Sequence, residues 1–204
     1  MILNRWILVL LLTLGGDKTM AKVPVIGFIG ASYSSAFRID GTAINGGRYM
    51  VLPDALRRIS DYWVVSTAWA GAGGNDYGRQ ANDLVVKTTT DKGELTLDVV
   101  VIDIVGQCAL NDCTNDEQDN LVGIVKELAV LAYANNVKVI VTGYPEIAQL
   151  QWREKYQDAM QADPLVHYVQ IYDGAQVFDG VHPVKESMMI AAVRLKEAIE
   201  KIGD

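Results

Sequence analysis

The sequence predicts a doubly wound α/β sandwich of three layers, with about five parallel strands in the middle layer. Two observations carry this. Apolar, β-rich segments recur at 23–29, 62–68, 97–105, 137–142 and 166–171, with helical patterns between them. Several are near-continuous apolar runs instead of alternating ones, as parallel strands covered on both faces require. No linker, repeat or low-complexity segment interrupts the alternation, so residues 22–204 are expected to form one domain.

The stretch ahead of the first strand differs in character. "MILNRWILVLLLTLGGDKTMA" places one arginine before an uninterrupted apolar run at 6–12. That run is too short to span a bilayer and suits the apolar region of a secretory signal. Residues 1–21 are therefore expected to be a signal peptide or leader, giving a secreted or periplasmic protein. If Met20 is the true start, the expectation becomes cytoplasmic. No cysteine stands at the end of the run, so a lipoprotein anchor is not expected.

Two helices are well marked. Between the third and fourth strands, Thr114-Asn115-Asp116-Glu117 fits a capping box, and Leu121, Ile124, Leu128 and Leu131 follow at helical spacing. Near the C-terminus Pro183 stands where a first helical turn is expected. Met188, Ala192, Leu195, Ile199 and Ile202 then make one apolar stripe.

Composition excludes several function classes. A net charge of −7 argues against a nucleic-acid or anionic-membrane surface, since phosphates demand a basic patch. The two cysteines and two histidines stand at no metal-site spacing, so no metal is expected. No Gly-x-Gly-x-x-Gly follows a strand and no Gly-Lys-Ser/Thr exists, so no nucleotide cofactor is expected either.

In doubly wound folds, ligands bind beyond the carboxyl ends of the strands, which makes the strand exits informative. The first strand runs into "GASYS", placing Ser32 at the rim of the sheet. The second runs into "WAGAGG", with Gly71 and Gly73; the third into "GQCALND", with Gln107, Cys108 and Asn111. Before the last helix comes "DGVHP", with Asp179 three residues ahead of His182. A nucleophilic serine needs a base to take its proton and a carboxylate to orient that base, and Asp-x-x-His can supply both from one turn.

This order of serine, glycine, asparagine and histidine resembles the GDSL-type esterases and lipases, the SGNH hydrolase superfamily. The resemblance covers nearly all of 23–204, with its strongest match in "DGVHP" and a fair one in "IGASYS". It implies a flavodoxin-like sandwich in which Ser32 attacks an ester carbonyl, His182 serves as general base and then acid, and Asp179 orients His182. The Ser32 and Gly71 backbone N–H groups and the Asn111 side chain would form the oxyanion hole, with Gly73 second to Gly71. The chain departs from the family at two places. Ala31 stands where the family has aspartate before its serine, and four residues separate Gly106 from Asn111-Asp112 where the family has Gly-x-Asn-Asp. Either the loop carries an insertion, or Gln107 or Cys108 takes the asparagine's place.

The function expected is a serine esterase acting on a carboxylic ester, with a short acyl chain and a small-molecule, carbohydrate or aryl alcohol. The alternatives are an acyltransferase of the same fold and a non-catalytic ligand-binding α/β protein. An α/β-hydrolase would want Gly-x-Ser-x-Gly, and Ser34 stands where its second glycine belongs. Ser34 and Ser35 are the competing nucleophiles. Cys108 and Cys113 bracket Asn111, and a disulfide closing this loop is expected only if the protein is exported. Tyr33, Trp69, Tyr77, Tyr144 and Trp152 gather near the strand exits as core, wall or stacking residues. His167, inside the fifth strand pattern, is expected to be structural. Asp103, inside the third, either faces a polar partner across the sheet or marks a position near the site.

Overall fold

The computed structural model describes residues 22–38, 40–43, 49–103, 114–146 and 148–203. Ten elements alternate along the chain. They are β1 (Val25–Gly30), α1 (Leu52–Ile59), β2 (Trp63–Ser66), α2 (Gly74–Thr88), β3 (Val99–Asp103), α3 (Asn115–Ala134), β4 (Lys138–Thr142), α4 (Leu150–Gln161), β5 (His167–Val169) and α5 (Lys185–Gly203). The five strands form one sheet in the order β2-β1-β3-β4-β5, and every pairing is parallel. The expected three-layer α/β architecture is present.

Burial explains the near-continuous apolar strands. Every residue of β1 and of β3 is buried, because helices cover both faces. α1 packs against α5, while α2, α3 and α4 pack in series, α2 on α3 and α3 on α4. The chain steps one way from β1 to β2 and the other way from β2 across β1 to β3 and on to β5. With right-handed crossovers, that reversal puts α1 on the opposite face from α2, α3 and α4. It also makes the β1/β3 boundary the switch point of the sheet, where a crevice opens beyond the strand ends.

The capping box is formed: Thr114 Oγ1 accepts from the Glu117 N–H, and Glu117 Oε2 accepts from the Thr114 N–H. Two expectations are corrected. Leu131 is exposed, because the buried face of α3 runs through Gln118, Leu121, Val125, Leu128 and Ala129. Pro183 bridges Val177 in a short antiparallel closure, and α5 begins two residues later, at Lys185. The stripe on α5 holds, with Met188, Ala192, Leu195 and Ile199 buried.

Residues 1–21 lie outside the described residues, as do Gly106, Gln107, Cys108, Asn111, Asp112 and Cys113. Among the described residues, no helix is long and apolar enough to cross a membrane, and no group of three or more His, Cys, Asp or Glu could hold a metal ion.

Candidate active site at the carboxyl ends of the strands

β1 ends at Gly30, and the turn that follows is tied down from several sides. Gln80 of α2 clamps the end of the strand: its Nε2 donates to the Gly30 carbonyl at 3.0 Å, and its Oε1 accepts the Gly30 N–H at 2.7 Å. These bonds replace the ladder that β2 no longer supplies there. On the other side the Ala31 N–H donates to the Asp103 carbonyl at 3.2 Å. Only glycine fits at position 30, because a Cβ would lie 2.3 Å from that same carbonyl oxygen. The turn closes through Ser34 N–H to the Ala31 carbonyl at 3.1 Å, which leaves Ser32 at its crest, half-buried. The Ser32 N–H makes no hydrogen bond among the described residues.

His182 sits on a second closed turn. The Val177–Pro183 bridge and the Phe178 N–H to His182 carbonyl bond (3.0 Å) draw its ends together. Within it, Asp179 Oδ1 accepts the N–H groups of Val181 (3.0 Å) and His182 (2.7 Å). The other carboxylate oxygen, Oδ2, lies 2.7 Å from His182 Nδ1. Burial works to raise the pKa of Asp179, but the hydrogen bonds from His182 and Val181 outweigh it and hold the carboxyl at about 2. A carboxylate facing Nδ1 places the imidazole proton there, so Nε2 of the neutral ring carries the lone pair. Nε2 is buried and has no hydrogen-bond partner among the described residues. No hydrogen bond joins it to Ser32.

Two tyrosines connect the turns. The Tyr33 hydroxyl donates to the Val181 carbonyl at 2.5 Å. The Tyr49 hydroxyl donates to the Ser32 carbonyl at 3.0 Å and lies 3.2 Å from the Ser35 carbonyl, while its ring lies 4.6 Å from the His182 ring. Phe178 stacks near the same imidazole at 6.1 Å. The Tyr49 phenol is pushed up to about 12, by burial and then by the charge of Asp179, so it stays a donor at neutral pH. Sequence reasoning missed Tyr49, Phe178 and Gln80. None stands in a motif, and only the fold brings them to the site.

Gly71 follows β2 with φ +80, a left-handed conformation that favours glycine, and its N–H makes no hydrogen bond among the described residues. Gly73, by contrast, is the N-cap of α2 and spends its N–H on Asp76 Oδ2 at 2.8 Å. Of the two glycines, only Gly71 has a free donor. Ser34 is buried, and its hydroxyl donates to Asp103 at 2.6 Å; Ser35 donates to the Phe37 carbonyl at 3.1 Å. Tyr33, Tyr77 and Tyr144 are buried among core residues, and His167 lies in β5.

The architecture has clear relatives among solved structures. This is the fold of the SGNH hydrolases. A family two carbohydrate esterase from Clostridium thermocellum, solved with cellohexaose, superposes with a TM-score of 0.61 at 18% identity. The match covers 88% of this chain and 65% of that one, so this chain spans about two thirds of the esterase. A GDSL-like lipase from Bacteroides thetaiotaomicron gives 0.61 at 20% identity, over 87% of this chain and 88% of the other. The psychrotrophic esterase EstA from Pseudoalteromonas, inhibited by monoethylphosphonate, gives 0.57 at 15% identity, over 87% and 97%. No protein-family model and no curated protein matches the sequence.

Proposed function

We propose that the protein is a serine ester hydrolase with Ser32 as nucleophile, His182 as base and Asp179 as its orienting carboxylate. One observation carries this reading. His182 is held at Nδ1 by Asp179 (2.7 Å) and offers a buried, unbonded Nε2, on a turn joined to that of Ser32 through Tyr33 and Tyr49. Nε2 takes the Ser32 proton as Oγ attacks the ester carbonyl carbon. The tetrahedral oxyanion forms among the free N–H groups of Ser32 and Gly71. On collapse the C–O bond to the alcohol breaks, and Nε2–H protonates the departing alkoxide. Water then attacks the acyl-enzyme, giving its proton to Nε2, and Ser32 leaves with that proton as the acid is released.

Asn111 is the third oxyanion donor in this reading. Asn111→Ala should lower turnover roughly 10²–10³-fold, as loss of one such donor does, and Gln107→Ala much less. The exposed Phe178 beside Tyr49 and His182 supports a substrate alcohol with a flat face, a sugar or an aryl group. Assays with short-chain aryl esters, acetylated sugars and phospholipids test this. Cleavage of the first two and not the third is the expected result; no cleavage of any ester by wild type, or equal cleavage by Ser32→Ala, overturns the assignment.

A further inference from the structure

Asp103 closes β3 and is fully buried. Its carboxyl has three hydroxyl partners: Ser34 Oγ to Oδ2 at 2.6 Å, Thr142 Oγ1 to Oδ1 at 2.6 Å, and Tyr172 OH 3.1 Å from both oxygens. No basic side chain pairs with it among the described residues. None of the three hydroxyls has another hydrogen-bond partner there, so each spends its proton on this carboxyl.

The three partners stand on three different segments. Ser34 belongs to the turn of Ser32, two residues beyond it. Thr142 is the last residue of β4, within the sheet. Tyr172 follows β5, and its ring packs edge-on against Tyr33 at 5.0 Å; Tyr33 in turn donates to the carbonyl of Val181, next to His182. One buried carboxyl thus holds the Ser32 turn twice, by Ser34 directly and by Tyr172 packed on Tyr33, and Tyr33 carries that hold on to the His182 turn.

We propose that Asp103 is a positioning residue, fixing the turn of Ser32 relative to the turn of His182 so that the nucleophile meets its base. This rests on Ser32 being the nucleophile. Burying a carboxyl away from any cation is costly, and the sheet alone does not need it, since β3 is already paired on both sides. Ala31 follows Gly30 without a polar side chain, so the turn has no carboxyl of its own. An asparagine at 103 would keep the shape but offer one acceptor oxygen and an NH₂, leaving at least one hydroxyl proton without its acceptor.

The test measures kcat, KM and melting temperature for hydrolysis of a short-chain aryl ester, with the rate of fluorophosphonate labelling alongside. Asp103→Asn and Ser34→Ala should each lower kcat and labelling rate about 10–10²-fold, with KM changed less than about twofold, because a misplaced nucleophile costs turnover and not ground-state binding. Thr142→Val removes an equally short bond from the sheet side. It should lower the melting temperature comparably but kcat far less. Ser34→Ala should add nothing in the Asp103→Asn background. Losses of kcat that track melting temperature in all three, or that multiply in the double variant, overturn the proposal. If Asp103→Asn does not fold, the contrast of Ser34→Ala with Thr142→Val decides alone. Ser32→Ala separates the two readings. A dead Ser32→Ala beside a wild-type-like Ser34→Ala overturns only the role of Asp103. An active Ser32→Ala, or a wild type that neither cleaves the ester nor takes the probe, overturns both.

Discussion

Asp179 holds His182 twice, with Oδ2 2.7 Å from the ring Nδ1 and Oδ1 2.7 Å from the backbone N–H. The backbone bond fixes the turn, and the ring bond fixes the tautomer. Asp179→Asn can keep the first while losing the charge behind the second. Turnover should fall by up to about 10⁴ with the fold intact, as for a triad whose carboxylate becomes an amide. Wild-type turnover after this change would break the pairing.

The same carboxyl titrates at about 2 when folded, below its unfolded value of about 3.9. Its contribution to stability is therefore present above the unfolded pKa and lost as pH falls through the folded one. Above pH 4 it stays ionised, so its own titration leaves the rate profile there untouched. The stability it gives should be lost only as pH falls from about 4 toward 2, read as unfolding by circular dichroism.

Gly71 and Gly30 should fail differently on substitution by alanine. At Gly71 a Cβ meets nothing within 4 Å, but φ +80 costs a non-glycine residue about 1–2 kcal/mol. Gly71→Ala should fold, with a modest drop in melting temperature and a loss of kcat as the N–H is re-aimed. At Gly30 the Cβ would collide with the Asp103 carbonyl, so Gly30→Ala should disrupt the strand end and accumulate poorly. Unchanged kcat in a folded Gly71→Ala would remove its N–H from the oxyanion hole.

The fold was legible because its signals are local. Apolar runs at β1 and β3 are buried on both faces, and the Thr114 cap is set by residues three apart. The Asp179–His182 pair was legible for the same reason. Tyr49 and Gln80 were not, since each meets the Ser32 turn through the tertiary fold, from 17 and 50 residues away. Asp103 could be singled out as a charge in an apolar run, but its partners lie 39 to 69 residues off. Leu131 and Pro183 misled for one reason: periodicity and proline mark where a helix can run, and packing decides which face and which residue are used.

Burial pushes the pKa of Asp103 up, against hydrogen bonds from Ser34, Thr142 and Tyr172 that pull it down. A folded pKa above the unfolded one means that stability is fully present below about pH 3.9 and is lost as pH rises through the folded value. Wild type should therefore lose stability, relative to Asp103→Asn, as pH is raised from about 4. Urea melts of both proteins at several pH values check this. Parallel pH dependences, or the opposite slope, would show that the hydroxyl bonds win.

Tyr49 should matter through both its ends. Tyr49→Phe removes the bonds to the Ser32 and Ser35 carbonyls but keeps the ring beside His182, so kcat should fall about tenfold or less with KM little changed. Tyr49→Ala also opens the imidazole to water and should cost more. Steady-state kinetics of the pair rank the two roles; equal losses would assign the whole effect to the hydroxyl.

The most direct test of the account is the position of the covalent adduct. Wild-type protein treated with a fluorophosphonate, digested and mapped by mass spectrometry should carry a single phosphonyl group on Ser32, with labelling abolished in Ser32→Ala and strongly slowed in His182→Ala. An adduct on Ser34 or Ser35, or undiminished labelling of Ser32→Ala, would contradict it.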